Sequence, residues 1–360
     1  IITSYGLIRK DIAKLKQVSF NVIIFDEAQA IKNIFADTTH AVRQLRGLFK
    51  IALTGTPVEN HVGEYFSIMD LVLPGLLGEY REFQGRARED MASFLPMLRE
   101  RTGPFVLRRT KERILEELPP KIERDVYLEL TEQQKRFYSR TVQEVRSTIG
   151  AAYRLKTQSQ ARIIALTAIM KLRQICLTPQ LLVKDLREPS PKIEFLKDKL
   201  EELCIESHSS LVFSQFTSFL DLVEAELRTK GLTLFRLDGS TPVRKRKTII
   251  DGFQESRTPS VFLLSLKVGG QGLNLTRGSY VFHLDPWWNP AVENQAADRS
   301  HRIGQVNTVI VTRLLMRHTV EEKMTALKQR KLSLYRALMD APEKSGARGV
   351  TREDFDFLLG

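Results

Sequence analysis

The chain has 360 residues, of which 42% are hydrophobic and 27% charged, and its formal net charge is +12. That length is enough for two domains, and the composition is that of a globular protein. Cys176 and Cys204 are its two cysteines, which argues against a disulfide framework or a cysteine-rich zinc site and fits a reducing compartment. Apolar runs such as residues 163–170 are far too short to cross a bilayer, so we expect no membrane partner.

The first part of the chain alternates strands and helices. Residues 1–5, 21–28 and 50–56 are apolar runs typical of buried strands, and the stretches near 7–18 and 34–47 have helical patterns. This β-α-β-α order predicts a parallel sheet flanked by helices, and hence an α/β fold.

A charged helical stretch at 79–112 leads to a Pro-Pro break at 117–121, where we place a domain boundary. Residues 121–130 alternate like a strand, and residues 131–177 have a long helical pattern. The predicted domains are residues 1–116 and residues 117–360, with a helical insertion at about 131–185.

The positive charge is concentrated in the helical stretch. Residues 133–174 contain nine Lys or Arg and one acidic residue, Glu144, so this window carries +8 of the net +12. A solvated helical face is one interpretation. For an excess this local we favour a face that binds a polyanion.

A second α/β pattern completes the chain. The predicted strands are 210–216, 232–239, 260–265, 280–285 and 308–315, and helical patterns lie near 217–230, 242–255, 290–302 and 319–339.

Two adjacent carboxylates, Asp26 and Glu27, end the second strand pattern. Ligands of an open parallel sheet bind beyond the carboxyl ends of its strands. Mg²⁺ takes few protein carboxylates and keeps water and phosphate oxygens as other ligands, so one acid on the metal and one on the attacking water is a workable division. The alternative is the plain acidic end of a buried strand, which the pair alone does not exclude.

Polar residues also end the next strand, at Thr54, Gly55 and Thr56. In a parallel sheet they would lie beside Asp26 and could sense the state of the carboxylates. The alternative is a simple strand-to-helix turn, with Thr56 and Pro57 starting the helix.

Three further patterns indicate ligand contacts. The Gly-rich stretch 265–275 allows close backbone approach, although glycines also form plain turns. If residues 295–305 are helical, Gln295, Arg299 and Arg302 share one face that suits phosphate oxygens, or Asp298 pairs with Arg302 on a solvated face. The tryptophans in 285–290 are in the core, or lie in a loop where one could stack on a base.

The order of these motifs closely resembles that of the Swi/Snf-type ATPases, the duplex-translocating branch of the superfamily-two helicases. The resemblance covers nearly the whole chain and implies two RecA-like lobes, with ATP and Mg²⁺ in the cleft and double-stranded DNA across both. The motifs are DEAQ (26–29), LTGTP (53–57), LVFSQF (211–216), LDGST (237–241), SLKVGGQGLNL (265–275), DPWWNP (285–290) and QAADRSHRIGQ (295–305).

The resemblance implies a role for each matching residue. Asp26 would bind Mg²⁺, Glu27 would polarise the attacking water, and Arg299 and Arg302 would act as arginine fingers supported by Gln295. The residues implied in nucleotide binding and coupling are Gln29, Thr54, Gly55, Thr56, Gly270 and Gly272. Those implied in DNA contact are Thr3, Ser4, Tyr5, Ser214, Gln215, Ser240, Ser265, Lys267 and Trp288. The basic helical stretch matches the family's helical protrusion.

One family motif does not occur in this sequence. The phosphate loop, G-x-x-x-x-G-K-[ST], should precede ITSY, and the chain contains no Gly-Lys pair. We therefore expect an incomplete first lobe and a fragment that is inactive by itself. Its compact spacing and its ending resemble bacterial members more than chromatin-associated ones.

The leading hypothesis is an ATP-driven translocase on double-stranded DNA, acting as a monomer on a DNA-bound complex such as RNA polymerase. We expect it in the cytoplasm at the nucleoid if the source is bacterial, and in the nucleus if it is eukaryotic. One alternative is a nucleic-acid-binding module or pseudo-enzyme without turnover. Another is a strand-separating helicase.

Overall fold

The computed structural model describes residues 1–55, 62–107, 118–155, 158–186, 188–269, 273–287 and 290–326. These residues fall into two compact units, one ending at residue 107 and the other beginning at residue 118. The predicted boundary between residues 116 and 117 lies outside the described residues. None of the helices in the described ranges is long and apolar enough to span a membrane.

The first unit contains a pair of parallel strands surrounded by helices. In β1 and β2, Val22 lies opposite Phe49 and Ile24 opposite Ile51, which confirms the predicted parallel pairing. Short 3-10 helices occupy Ala28–Ile31 and Gly103–Phe105. The elements are α1 (Tyr5–Leu15), β1 (Ser19–Phe25), α2 (Asp37–Arg43), β2 (Arg46–Ala52), α3 (Val62–Val72), α4 (Tyr80–Glu89) and α5 (Met91–Thr102).

Several expectations for this unit are wrong. Residues 1–4 form no strand; instead Ser4 Oγ accepts a hydrogen bond from the backbone N–H of Leu7 at 3.3 Å and caps α1. The strands are also not buried on both faces, since Ile24 is 60% exposed and Phe49 68% exposed. The sequence offered a helix after β2 only as the alternative for Thr56 and Pro57, and the structure has α3 there, with nine of its eleven residues buried.

The second unit is built on a six-stranded parallel sheet of order β3-β8-β7-β4-β6-β5. All six strands lie where the sequence predicted them. The elements are β3 (Lys121–Leu128), α6 (Glu132–Leu155), α7 (Gln158–Leu177), α8 (Pro191–Ile205), β4 (Ser209–Ser214), α9 (Thr217–Thr229), β5 (Thr233–Leu237), α10 (Val243–Glu255), β6 (Ser260–Ser265), α11 (Leu266–Gly269), β7 (Gly278–His283), α12 (Pro290–Ala297) and β8 (Val309–Met316), with a 3-10 helix at Pro179–Leu181.

Helices cover both faces of this sheet, because the central strands are apolar on both sides. Val212 of β4 packs in a cluster with residues of α8 and α9. Its neighbours Leu211 and Phe213 pack in a second cluster with residues of α10 and α12. Every residue of β4 and β6 is buried, so this sheet forms the core that holds its strand ends in place.

The predicted basic helical stretch is a pair of helices, α6 and α7, that pack against each other. The helix expected at 290–302 is shorter than predicted, since α12 ends at Ala297. The last expected helix, 319–339, is helical from 320 to 326, and its remainder lies outside the described residues.

Candidate functional site

An acidic turn follows β1 in the first unit. Asp26 and Glu27 are both exposed, and Asp26 Oδ1 accepts a hydrogen bond from the backbone N–H of Glu27 at 2.9 Å. Glu27 adopts the left-handed conformation with φ of 48°, which costs a non-glycine residue about 1–2 kcal/mol. Strained residues of this kind cluster at functional sites.

A side-chain hydrogen-bond chain joins this turn to the end of β2. Gln29 Nε2 donates to Glu27 Oε2 at 2.5 Å, and Thr54 Oγ1 donates to Gln29 Oε1 at 2.7 Å. The backbones are joined as well, since the Ala28 N–H donates to the Leu53 carbonyl at 2.9 Å. The structure therefore brings together Glu27, Gln29 and Thr54, which the sequence had placed in two separate motifs.

Tyr5 connects a predicted DNA-contacting segment to the same turn. Its hydroxyl donates to the backbone carbonyl of Asp26 at 2.7 Å. Burial, together with the nearby charges of Asp26 and Glu27, raises the pKa of Tyr5 to about 12. The hydroxyl therefore stays protonated and available as a donor. Thr3 and Ser4, from the same predicted segment, are exposed.

Two of the predicted DNA-contacting residues, at the carboxyl ends of strands in the second unit, are buried. Ser214 is fully buried, and its hydroxyl donates to Asp285 Oδ2. Ser265 is also buried, at 5% exposed. Both hydroxyls are buried within their own unit, and their contact with DNA stays a prediction. Gln215 is half-buried and its backbone N–H donates to Asp285 Oδ2 at 3.2 Å, whereas Ser240 is exposed.

Asp285 belongs to a buried ionic pair that the sequence reasoning missed. Arg173 of α7 is fully buried, with a guanidinium nitrogen 3.8 Å from Asp285 Oδ1, and it donates to the carbonyl of Pro286. Burial raises the pKa of Asp285 to about 6, against the lowering effect of Arg173. The signal in the sequence was an arginine within the largely apolar run ALTAIMKLRQICL (165–177).

A second buried pair fixes the same end of the sheet. Lys192 Nζ donates to the two carboxylate oxygens of Glu321 at 2.8 and 2.7 Å, and also to the carbonyls of Leu284 and Leu314. All of its donors are thus satisfied away from water, as a buried ammonium requires. The link holds α8 against β8 and the segment that follows β7.

The arginine segment is not the helical stripe that the sequence predicted. Because α12 ends at Ala297, Gln295 alone of the three predicted residues is helical, and Arg299 and Arg302 lie in the turns that follow. Arg299 is 8% exposed, while Arg302 is exposed. The alternative pairing with Arg302 is not found either, since Asp298 lies 4.0 Å from Lys121 Nζ.

Hydrogen bonds from a distant segment explain why the helix ends early. The Leu275 N–H donates to the carbonyl of Arg299 at 2.9 Å, and Ser300 Oγ donates to the carbonyl of Gly278. Gln305 Nε2 adds a bond to the carbonyl of Thr276 at 2.8 Å. These partners lie at or before the start of β7, so the arginine segment lies at the opposite end of that strand from Asp285.

Some predicted residues fall outside the described part of the structure. These are Thr56, Gly270, Gly272, Trp288 and the side chain of Lys267. Gly55, the middle residue of its motif, is exposed.

Family comparisons agree with the motif order. Residues 1–181 match the family model of the SNF2-related domain, and residues 191–304 match that of the helicase conserved C-terminal domain. An "Uncharacterized ATP-dependent helicase" of Mycoplasma pneumoniae is 36% identical over 93% of the chain and 32% of its own length. The TATA-binding protein-associated factor MOT1 of Saccharomyces cerevisiae is 31% identical over 99% of the chain and 22% of its own length.

The fold is similar to that of a solved structure from the same family. The SWI2/SNF2 ATPase core of Sulfolobus solfataricus in complex with dsDNA aligns over 93% of this chain and 72% of its own, with 34% identity and a TM-score of 0.52. The chain spans about a third or less of the length of the curated relatives described above.

Proposed function

The chain belongs to the SNF2-related family, and on that premise we propose that it is part of an ATP-dependent motor. The whole protein would translocate along double-stranded DNA and remodel protein–DNA complexes without separating the strands. Support comes from the Sulfolobus ATPase core, which resembles this chain and was solved with dsDNA. A DNA-bound complex such as RNA polymerase is the proposed target, with the motor acting as a monomer.

The hydrogen-bond chain from Thr54 through Gln29 to Glu27 is the observation that carries this proposal. It gives Glu27 a fixed position at a strand end, where we propose that it orients the attacking water. The adjacent carboxylate, Asp26, is exposed and fits Mg²⁺, which takes one or two carboxylates together with phosphate oxygens and water. When bound, the ion would neutralise charge on the phosphates.

Arg299 and Arg302 are proposed as the arginine fingers. The exposed side chain of Arg302 forms no hydrogen bond or ion pair with the described residues. A guanidinium placed in this way is open to a phosphate, whose geometry its fork matches. Gln295, which is half-buried on α12, would support the pair.

The 360 residues by themselves are expected to hydrolyse no ATP. They contain no Gly-Lys pair, and the backbone N–H groups and lysine of a phosphate loop supply most contacts to the phosphates. Duplex-stimulated turnover by the purified chain, absent from a Glu27→Gln preparation, would contradict this expectation.

The test of the motor uses a longer chain of the same gene that carries a phosphate loop. We expect ATP hydrolysis stimulated by duplex DNA, displacement of the third strand of a triplex, and no unwinding of a forked duplex. Arg302→Ala should lower kcat by ~10³- to 10⁵-fold and leave ATP binding unchanged. ATP-independent duplex binding without turnover would support the binding-module alternative, and unwinding of the fork would support a strand-separating helicase.

A further inference from the structure

A run of basic residues begins helix α10, which directly follows the edge strand β5. Arg244, Lys245 and Lys247 are exposed, and the first turn of the helix contains no acidic residue. The amino end of a helix already carries the positive end of its macrodipole, so cations there are unfavourable for the helix itself. Their presence therefore needs a reason other than helix stability.

Other cations near β5 are neutralised by partners. Arg228 and Lys230, which precede that strand, lie 2.6 and 2.7 Å from glutamate oxygens. In contrast, the side chains of Arg244, Lys245 and Lys247 form no ion pair or hydrogen bond to any part of the chain that the structure describes. These three charges are thus uncompensated and face solvent.

The start of α10 is held in a fixed position by the turn before it. Asp238 Oδ1 accepts hydrogen bonds from the backbone N–H of Ser240 at 2.9 Å and from its hydroxyl at 2.6 Å. Arg246, the fourth cation of the run, is used internally, because its Nε donates to the carbonyl of Thr241 at 3.2 Å. The three exposed cations therefore extend from a braced turn.

This basic surface lies at the carboxyl edge of the parallel sheet, where β5 ends. The exposed Ser240, a predicted DNA contact, lies at the same edge. In the sheet, β5 lies three strands from β7. At the usual strand spacing, this is a distance of about 14 Å along the carboxyl edge. Because a duplex presents one phosphate charge per ~1.7 Å of its axis, one lying along this edge would place several phosphates near the surface.

We propose that Arg244, Lys245 and Lys247 form a phosphate-binding surface for double-stranded DNA, in addition to the motif residues implied by the family. The inference rests on the proposed function, since a duplex partner is part of it. Unpaired cations on one helical turn suit the closely spaced phosphates of a backbone, and they carry no sequence preference. The surface would lengthen the DNA footprint towards the outer edge of the sheet.

The test compares two triple variants of the full chain in fluorescence-anisotropy titrations with duplexes of unrelated sequence. One is Arg244→Gln/Lys245→Gln/Lys247→Gln. The matched control, Arg228→Gln/Lys230→Gln/Arg257→Gln, removes the same charge from residues that precede β5 and β6, at the opposite edge. The wild type should bind without sequence preference, with Kd of roughly 10⁻⁴ to 10⁻⁶ M at physiological salt.

The salt dependence identifies the contacts. If each of the three cations neutralises one phosphate, the first variant loses about 2.7 from the slope of log K against log salt concentration, so its deficit in affinity shrinks by roughly 40-fold between 50 and 200 mM salt. The control should keep the wild-type slope, and circular dichroism should show both variants folded.

Three results would overturn the proposal in distinguishable ways. A wild-type chain that binds no duplex at low salt would contradict the proposed function as well. If the wild type binds duplex but the two variants have equal slopes of log K against log salt concentration, the basic surface alone would be contradicted. If the first variant binds vesicles of anionic phospholipid more weakly than the wild type does, and binds duplex as well as the wild type, the surface would be assigned to a membrane instead.

Discussion

Asp26 and Asp285 occupy similar places in the sequence, each following an apolar strand of a parallel sheet, but the structure gives them opposite environments. Asp26 is exposed, whereas Asp285 is fully buried beside Arg173. An acid at a strand end is therefore a candidate ligand site only where the surrounding elements leave it open. Where a helix from elsewhere in the chain covers it, the same residue becomes a structural link.

The helical insertion accounts for the difference. Arg173 extends from α7 to Asp285 and to the carbonyl of Pro286, so the insertion covers the end of β7. At the end of β1, in contrast, the turn is held by single hydrogen bonds from Thr54 and Tyr5, which leave the carboxylates exposed.

The largest expected effect is a loss of ATPase activity, which should follow substitution in the acidic turn after β1 but not substitution of Asp285. In a longer chain with a phosphate loop, Glu27→Gln should lower kcat by ~10²- to 10⁴-fold, because it removes a general base. Its unfolding free energy should change by less than about 0.5 kcal/mol, because the residue is exposed. Asp285→Asn should keep kcat within about tenfold of wild type and alter stability instead. Steady-state ATPase assays and urea unfolding of the same preparations measure both quantities. Equal loss of kcat in the two variants would remove the distinction.

Removing the partner of the buried acid should affect stability strongly. Arg173→Met removes the cation beside Asp285, so the buried acid must stay ionised without its partner or take up a proton, and breaking a buried pair in this way costs about 3–5 kcal/mol of unfolding free energy. The double variant Arg173→Met/Asp285→Asn should recover most of that loss. Arg136→Met, an exposed arginine of α6 in the same basic window, is the matched control and should stay within about 0.5 kcal/mol of wild type. Additive effects of the two substitutions in urea unfolding would show that the pair is not coupled.

The pH dependence of stability offers a smaller test of the same residue. Burial raises the pKa of Asp285 from 3.8 to about 6, with Arg173 opposing the shift. The folded state therefore holds this proton more tightly than the unfolded chain, and the resulting stabilisation is present below about pH 4 and lost as pH rises through about 6. At 1.36 kcal/mol per pKa unit, the loss is at most roughly 3 kcal/mol.

The measurement is the difference in unfolding free energy between the wild type and Asp285→Asn at several pH values. We expect the wild type to lose stability relative to the variant as the pH rises over this range. A difference that stays constant, or that changes in the opposite direction, would mean that Asp285 is ionised in the folded state throughout.

The smallest expected effect concerns the hydrogen-bond chain at the exposed end. Thr54→Val removes the donor to Gln29, a loss of about 1 kcal/mol, and should lower kcat by up to about tenfold if the chain positions Glu27. Thr54→Ser keeps the donor and should restore the rate. The melting temperature should fall by only a few degrees for Thr54→Val and stay near that of the wild type for Thr54→Ser. A normal kcat for Thr54→Val would show that Glu27 needs no such support.

The sequence by itself determined the α/β class, the six strands of the second sheet and the polar motifs at the strand ends. These features follow from local patterns, because apolar runs of strand length, broken by glycine, proline and polar residues, report backbone structure directly. The resemblance to the Swi/Snf-type ATPases rests on the same local motifs, and the family comparisons confirm it.

Only the tertiary structure decided which of those motif residues are open to a ligand. Ser214 and Arg173 are buried because α7 and the segment after β7 pack over them, and no periodicity near either residue specifies that cover. The turns at Arg299 and Arg302 are held by the segment that leads into β7, since the Leu275 N–H donates to the Arg299 carbonyl and Ser300 Oγ donates to the Gly278 carbonyl. Burial and helix ends depend on contacts between segments far apart in the chain, which a local pattern does not encode.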